Sequence, residues 1–385
     1  MSLSRSSWKK QRPGKTVTHP LNTLYFYLTE GCNLVCRHCW LAPRLDTSGN
    51  HSPTLSTALF ETAIREARPL GLSGVKLTGG EPLLHPDIMN LLKIVRRENL
   101  GVTIETNGLL CTAEIASEIA RSPRRAISVS IDGADAATHE WVRGVPGSFL
   151  AAQQAVKNLV AVGIRPQIIF TVMRCNATQI DAIILMAEQL GASSVKFNVV
   201  QPTARGEKLH GDQETLPVAE LIKLGRHVEQ KLAKETHLQL FFHYPHAFRA
   251  LNRLSSGDGA GGCGILGIMG VLASGHYALC GIGEQVPELL FGVAGKDSLE
   301  KIWRENVVLM SLREGLPGRL EGVCSRCLMK GRCLGSCVAQ NYYSKGSLWA
   351  PFWFCEQAEA AGHFPASRRG KDRPGMPEHG EYAPV

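Results

Sequence analysis

Short apolar runs alternate along the chain with stretches of helical periodicity. Leu24–Leu28 has the length and apolarity of a strand. Ser56–Arg68 follows with Leu59, Phe60, Ile64 and Ala67 at helical spacing and Gly71 just past its end, which predicts a helix. Gly74–Thr78 predicts a second strand and Pro86–Arg97 a second helix, with Pro86 suited to the first turn. The pair recurs as Val102–Thr106 with Ala113–Ala120, and as Ala126–Ile131 with Ser148–Val162, stopped by Gly163. Gln167–Met173 is the next strand, and Asn176 caps a helix to Leu190, stopped by Gly191. Ser194–Val199 and Leu216–Ala233 make the sixth strand and helix. Such alternation predicts an α/β fold with a parallel sheet and crossover helices. Six units are too few to close an eight-stranded barrel.

After about residue 240 the pattern changes. Leu251–Gly264 is rich in Gly and Ser, and beyond it come short strands, loops and cysteines. A hairpin is expected from Ile268–Ala273 and Gly275–Cys280, and a short helix from Leu299 to Trp303 capped by Ser298. Residues 1–22 read as a basic arm carrying Trp8, Lys9, Lys10, Arg12 and Lys15. Residues 363–385, rich in Pro, Gly and charge, read as a disordered tail. The expected division is therefore an arm (1–22), a barrel (23–240), a cysteine-rich domain (241–362) and a tail. A chain of 385 residues is long enough for two domains.

Composition narrows the function classes. Hydrophobic residues make up 44% and charged residues 20%, as in globular proteins. No apolar run approaches bilayer length, and Leu24–Leu28 is too short for a signal-peptide core. A cytoplasmic protein with no membrane partner is expected. The net charge of +8 is scattered without an aromatic-interleaved basic stripe, so no nucleic-acid partner is expected. Twelve cysteines in such a chain point to metal or redox chemistry rather than disulfides.

Three of them form Cys32-x3-Cys36-x2-Cys39, directly after the first strand. Thiolates favour zinc or iron–sulfur centres. Three are one too few to close a tetrahedral zinc site or a four-iron cluster, which leaves one metal position open. The alternative is a structural zinc site completed by His38 or a distant residue, but His38 would have to bend back sharply between Cys36 and Cys39. The spacing resembles the cluster loop of radical S-adenosylmethionine (radical SAM) enzymes. The resemblance implies a 4Fe–4S cluster on Cys32, Cys36 and Cys39 whose open iron chelates the amino and carboxylate groups of SAM. It implies an external electron donor, and a 5′-deoxyadenosyl radical that abstracts hydrogen from the substrate. It also implies a partial (β/α)6 TIM-like barrel, in agreement with the six units.

Further segments carry the same resemblance. Thr78-Gly79-Gly80-Glu81-Pro82 ends the second strand, and its glycines leave backbone groups accessible. In the family this GGEP motif lines the SAM amino group. Glu105-Thr106-Asn107-Gly108 ends the third strand and Ser128 to Gly133 the fourth, where ligand groups gather in parallel folds. By the resemblance, Glu105, Ser130 and Asp132 are expected to contact the ribose and carboxylate of SAM, with Asn107 holding its turn. His139 to Gly144 resembles the family stretch H-x-x-x-R-G, so Arg143 is expected to pair with the SAM carboxylate. The alternative is a surface arginine on a short helix. Phe170 to Met173 are placed near the adenine, with core packing the role of most of those side chains.

A second cysteine set reads Cys263-x16-Cys280, then Cys324-x2-Cys327-x5-Cys333-x3-Cys337, then Cys355. It resembles the SPASM extension of radical SAM enzymes, the alternative being two zinc ribbons. The resemblance implies one 4Fe–4S cluster on Cys324, Cys327, Cys333 and Cys355 and another on Cys263, Cys280 and Cys337, three iron–sulfur clusters in all. Cys111 and Cys175 fall outside both patterns and are expected to be small buried residues. Nothing near Cys263 offers a fourth thiol, so the fourth position there is expected not to be a cysteine of this chain. Gly281 stands where anaerobic sulfatase-maturing relatives carry an Asp, and the nearest acid is Glu284, which weakens a sulfatase-maturase reading.

Relatives with this extension mostly modify peptides. The expected activity is maturation of a ribosomally synthesised precursor peptide, by a crosslink or by excision of a tyrosine-derived backbone fragment. The residues before the first strand are too few for a leader-binding domain, so a small partner protein is expected to deliver the peptide. A tetrapyrrole side-chain decarboxylase is the second enzyme reading. A non-catalytic metal-binding assembly module is the third, and the GGEP segment argues against it, since a scaffold needs no SAM site.

Overall fold

The structure, a computed structural model, describes residues 19–49, 51–255 and 263–370. Its centre is a ten-stranded sheet. Six strands follow one another in space as in sequence: β1 (Thr23–Tyr27), β2 (Gly74–Thr78), β3 (Gly101–Thr106), β4 (Arg125–Ser130), β5 (Gln167–Val172) and β6 (Ser194–Val199). Each is parallel to the next. Side chains alternate across a strand. One face carries Leu24, Phe26, Val75, Leu77, Val102, Ile104, Val195 and Phe197, all at most 2% exposed. That face packs on the crossover helices, as where the Phe26 and Phe60 rings lie 4.2 Å apart. The other face carries Tyr25, Lys76, Glu105, Ser130 and Lys196, all half-buried. A closed barrel fills this interior with branched apolar side chains; here it is polar, the mark of a barrel that holds something else.

The sheet continues past the six expected strands. β7 (Gln239–Phe242) lies parallel to β6, and β8 (Ile268–Val271) lies parallel to β1 on the opposite side. Two antiparallel strands, β9 (His276–Ala278) and β10 (Leu290–Val293), complete it. An unpaired edge invites aggregation, and here each edge of the six is covered. β8 pairs with β1 from Thr23–Ile268 to Phe26–Val271. On the far side of β7, Arg249 Nη2 donates to Phe242 O at 2.8 Å and Arg253 Nη2 to Leu240 O at 3.3 Å. The expected hairpin is present, but it extends the barrel sheet instead of standing apart, and residue 240 lies inside a strand.

Three expectations are corrected. Pro86 is not in the first turn of its helix, which is Ile88–Arg97 with Asp87 at the N-cap; the preceding turn, Pro82–Leu84, delays the start. Asn176 does not cap with its side chain. Its Oδ1 accepts from Met173 N at 2.7 Å and its Nδ2 donates to the carbonyls of Asp132 and Thr171, both at 2.9 Å. The tail is ordered to residue 370, because Phe364 is buried against Phe248 and the backbone pairs back: Leu328 N donates to Arg368 O and Gly370 N to Arg326 O. Residues 371–385, and residues 1–18 of the expected arm, lie outside the described residues. Among the described residues no helix is long and apolar enough to cross a membrane.

Candidate functional site

Beyond β1 the chain turns into the first thiol loop. Cys32 and Cys36 are buried and Cys39 is half-buried. The three sulfurs lie within electrostatic reach of one another: the charges of Cys36 and Cys39 act on Cys32, and that of Cys39 on Cys36. Burial pushes the Cys32 and Cys36 thiols up. Such thiols ionise when a cation binds them, because the thiolate is the ligand. Three soft donors converging at the end of a strand therefore fit a 4Fe–4S cluster. Among the described residues no three His, Cys, Asp or Glu form a site for a single metal ion.

Two polar networks hold this loop. The first comes from the ends of β2 and β3. Gly80 N donates to Thr29 O and Glu81 N to Gly31 O, both at 2.9 Å. A Cβ at Gly80 would stand 1.9 Å from Gly31 O, so only glycine allows this approach. Gly79 adopts φ 124°, which also favours glycine. Glu81, 1% exposed, accepts from Leu83 N at 3.1 Å, Thr106 Oγ1 at 2.6 Å and Asn107 N at 2.8 Å, and Pro82 opens the turn that follows. Burial pushes its carboxyl up against these bonds. Asn107 holds its turn through Leu109 N, as expected, and also donates to Asn33 Oδ1 at 2.7 Å, with Cys32 Sγ 3.9 Å away.

The second network lies behind Cys36. Asp132, fully buried, accepts from Thr171 N at 2.6 Å and stands 2.7 Å from Arg143 Nη2 and 3.7 Å from His38 Nε2. Arg143 Nη1 lies 3.6 Å from Cys36 Sγ, and Arg143 O accepts from Val35 N. Burial pushes Asp132 up, but the Arg143 charge, helped by the hydrogen bond from Thr171 N, outweighs it and holds the carboxyl below its usual range. His38 and His139 are pulled down to about 4, chiefly by burial, and are neutral. Arg143 is thus no surface residue: it is 7% exposed and already has an anion, Asp132. A fully buried Asp132 braces the loop and presents no ligand surface.

The expected SAM contacts therefore divide. Gly79, Gly80, Glu81, Pro82 and Asn107 meet the thiol loop, and Asp132 and Arg143 lie behind it. Ser130 and Glu105 face the barrel interior. Glu105 Oε2 sits 2.7 Å from Lys76 Nζ. Phe170 is fully buried on the helix side, so it packs the core.

The C-terminal cysteines gather as two sets. Cys337 acts on Cys280 and Cys263, and Cys263 on Cys280. The charges of Cys263 and Cys280 also act on Tyr25, whose hydroxyl is pushed up to about 12, first by burial. This set therefore lies near Tyr25, on the interior face of the sheet. Gly281 has a reason to lack a side chain: a Cβ there would stand 2.3 Å from the Tyr27 ring. Glu284, open to solvent yet crowded by protein, is pushed up to about 7 by that crowding and then by Glu30. The other four thiols, Cys324, Cys327, Cys333 and Cys355, line one pocket with Pro245, Ala247, Leu320 and Phe364. Cys111 is buried as expected, but Cys175 is exposed, because it sits in the turn between β5 and the helix Ile180–Gln189. Tyr25, Lys76, Lys196 and His243 went unmarked by motif. Their signal was a polar residue at alternate strand positions, as in Lys196-Phe197-Asn198.

Residues 26–184 match the radical SAM superfamily. The AdoMet-dependent heme synthase of Methanosarcina barkeri is 30% identical over 345 residues, which cover 86% of this chain and 95% of the synthase. The mycofactocin maturase MftC of Mycobacterium ulcerans is 29% identical over 350 residues, 88% of each chain. The crystal structure of Streptococcus suis SuiB bound to precursor peptide SuiA shares the fold, with a TM-score of 0.69 at 20% identity over 88% of this chain and 76% of that one. Identity at this level along almost the whole of a relative settles the question of kinship: the protein is an enzyme that belongs to the radical SAM superfamily.

Proposed function

We propose that the protein modifies a ribosomally synthesised precursor peptide by radical chemistry. The observation that carries this reading is the unclosed sheet. Among the described residues β7 and β10 do not pair, so the sheet is not closed around its polar interior, and an unclosed barrel suits a substrate whose chain continues beyond the reacting residue. The likeness to a mycofactocin maturase along 88% of both chains supports it. A second reading, a tetrapyrrole side-chain decarboxylase, is favoured by the likeness to a heme synthase.

Cys32, Cys36 and Cys39 would hold the SAM-binding 4Fe–4S cluster, which when bound supplies the electron that cleaves SAM. Gly79 and Gly80 keep the adjoining backbone clear for SAM, and Glu81 and Asn107 fix the turns beside it. Ser130 and Glu105 stand on the interior side, toward the substrate. Asp132 and Arg143 keep Cys36 in place. Cys324, Cys327, Cys333 and Cys355 would hold one auxiliary cluster. Cys263, Cys280 and Cys337 would hold another, whose fourth position is not a cysteine of this chain: the neighbours of Cys111 and Cys175 do not include this set. We place the enzyme in the cytoplasm, with an external electron donor and a small partner that presents the peptide leader.

The test is anaerobic turnover with SAM and reductant. Two substrates are compared: a peptide encoded beside the gene, and a porphyrin bearing carboxylate side chains. A mass change in the peptide matched to 5′-deoxyadenosine supports the proposal. Carbon dioxide release from the porphyrin, with the peptide unchanged, transfers the assignment to the second reading.

A further inference from the structure

The interior face of the sheet carries charge that the thiol loop does not use. Lys76 Nζ lies 2.7 Å from Glu105 Oε2 and 5.0 Å from the centroid of the Tyr25 ring. Lys196, on β6, has Glu105 and Lys76 as charged neighbours, and no ion pair is formed by it among the described residues. Its register partner on β7 is Phe241, and two positions further on the same face lies His243. Burial and then the Lys196 charge pull His243 to about 3, so it adds no charge. Asn198, two positions from Lys196 and on the same face, has its side-chain oxygen buried without a hydrogen-bond partner. Two ammonium groups thus face one carboxylate.

A half-buried cation with no ion-pair partner of its own is costly, and the structure must supply one or leave room for one. The nearby thiols do not fill the role for Lys196. Lys76 acts on Cys263 and Cys280, but Lys196 is not among the charges acting on either. Burial pulls the Lys196 pKa down and Glu105 pulls it back, as for an ammonium short of one partner.

We propose that Lys196, placed beside the Lys76–Glu105 pair, binds a carboxylate group of the substrate inside the barrel. This rests on reading the interior as the substrate site, and it narrows the substrate to one with a carboxylate near the reacting position. Asn198 stands ready to accept from a donor next to that carboxylate. A peptide, through an acidic side chain or its C-terminus, and a tetrapyrrole, through its carboxylate side chains, both supply this chemistry.

The experiment uses the reconstituted enzyme and saturation-transfer NMR of propionate, with propionamide as the neutral control. Propionate is expected to give a signal with the wild type and with Lys196→Arg, and to lose it with Lys196→Met; propionamide gives none. An equal propionate signal in Lys196→Met, or none in the wild type, overturns the inference. Iron content matching the wild type shows that the variants are folded. Turnover supplies the second measurement. For the true substrate, KM is expected to rise about ten- to a hundred-fold in Lys196→Met, the worth of one charge-assisted hydrogen bond, and to recover in Lys196→Arg. An unchanged KM also overturns it. A carboxylate peptide against its amide, and a porphyrin against its methyl ester, identify the source. If the peptide is never modified while propionate binding depends on Lys196, the peptide reading fails and the carboxylate site stands.

Discussion

Two regions of the molecule gather thiols by opposite means. Around Cys32, Cys36 and Cys39 the supports are polar and come from distant strand ends: Asn107 from the end of β3, Asp132 from just beyond β4, and Arg143 from the helix Ala136–Arg143. Around Cys324, Cys327, Cys333 and Cys355 the walls are largely apolar, from Pro245, Ala247, Leu320 and Phe364. A closed four-thiol site needs only to be packed and dry. A three-thiol site must keep one metal position open to a charged ligand, so its frame has to be fixed without being sealed. Directional contacts do that: Arg143 meets the Cys36 sulfur with one nitrogen and Asp132 with another.

The contrast breaks most sharply at the thiols themselves. Cys36→Ala is expected to abolish 5′-deoxyadenosine formation while the C-terminal sets keep their iron. Iron should fall by about a third if all three clusters are four-iron. Cys355→Ala should also lose iron yet retain SAM cleavage. Undiminished deoxyadenosine in Cys36→Ala would show that the first loop is not the SAM-cleaving site. Stoichiometric zinc with little sulfide in the wild type would place both regions among structural zinc sites.

Removing one support on each side comes next. Asp132→Asn leaves the Arg143 guanidinium buried without its anion, and such losses cost about 3–5 kcal/mol. Phe364→Ala on the far pocket costs a similar amount, about 3–5 kcal/mol, by opening a cavity. Thermal unfolding should show both, but only Asp132→Asn should weaken SAM binding. Equal loss of SAM affinity in the two variants would erase the distinction between the regions.

Acid separates them too. His38 and His139 are held near 4 in the fold, below the ordinary value of about 6.5. The unfolded chain therefore takes up their protons first, and stability falls as pH drops from about 6.5 toward 4. By pH 5 the loss should be on the order of 2 kcal/mol for each histidine, about 4 kcal/mol together, read as a lower Tm. A Tm that stays level between pH 7 and pH 5 contradicts neutral histidines behind Cys36.

Local features were legible from the residues alone. Gly74–Thr78, Ala113–Ala120 and Ser194–Val199 stand where periodicity put them, because alternation, helical spacing and caps are written within each segment. The first thiol loop is local in the same way, whereas the division of the C-terminal cysteines into two sets was implied only by the family resemblance. Edge pairing is not local. Nothing in Ile268–Val271 announces that it docks on β1, and β7, only four residues long, does not stand out after the helix Val218–His227 that crosses to it. Roles fixed by burial were equally hidden. Asp132 looks like a ligand contact at a strand end until its full burial and its Arg143 partner are seen. Lys196 looks like a solvated strand residue until the sheet curls its face inward.

The mildest change touches the seam between the GGEP turn and the thiol loop. Asn107 donates to Asn33 Oδ1 at 2.7 Å and accepts from Leu109 N at 3.0 Å. Asn107→Ala removes both bonds and leaves the buried Asn33 oxygen without that donor, a cost of about 1–3 kcal/mol. The thiols keep their own chain positions, so iron loading should survive. Cys32 loses the Asn107 amide that lies 3.9 Å from its sulfur, and an amide near a cluster sulfur raises its reduction potential. The expected outcome is normal iron content, a modest fall in Tm and a more negative potential for the SAM-cleaving cluster, read by redox titration followed by electron paramagnetic resonance. The same titration should leave the four-thiol set unmoved, since Asn107 does not line that pocket. A shift in the far cluster with none in the near one would reverse the assignment of the two regions.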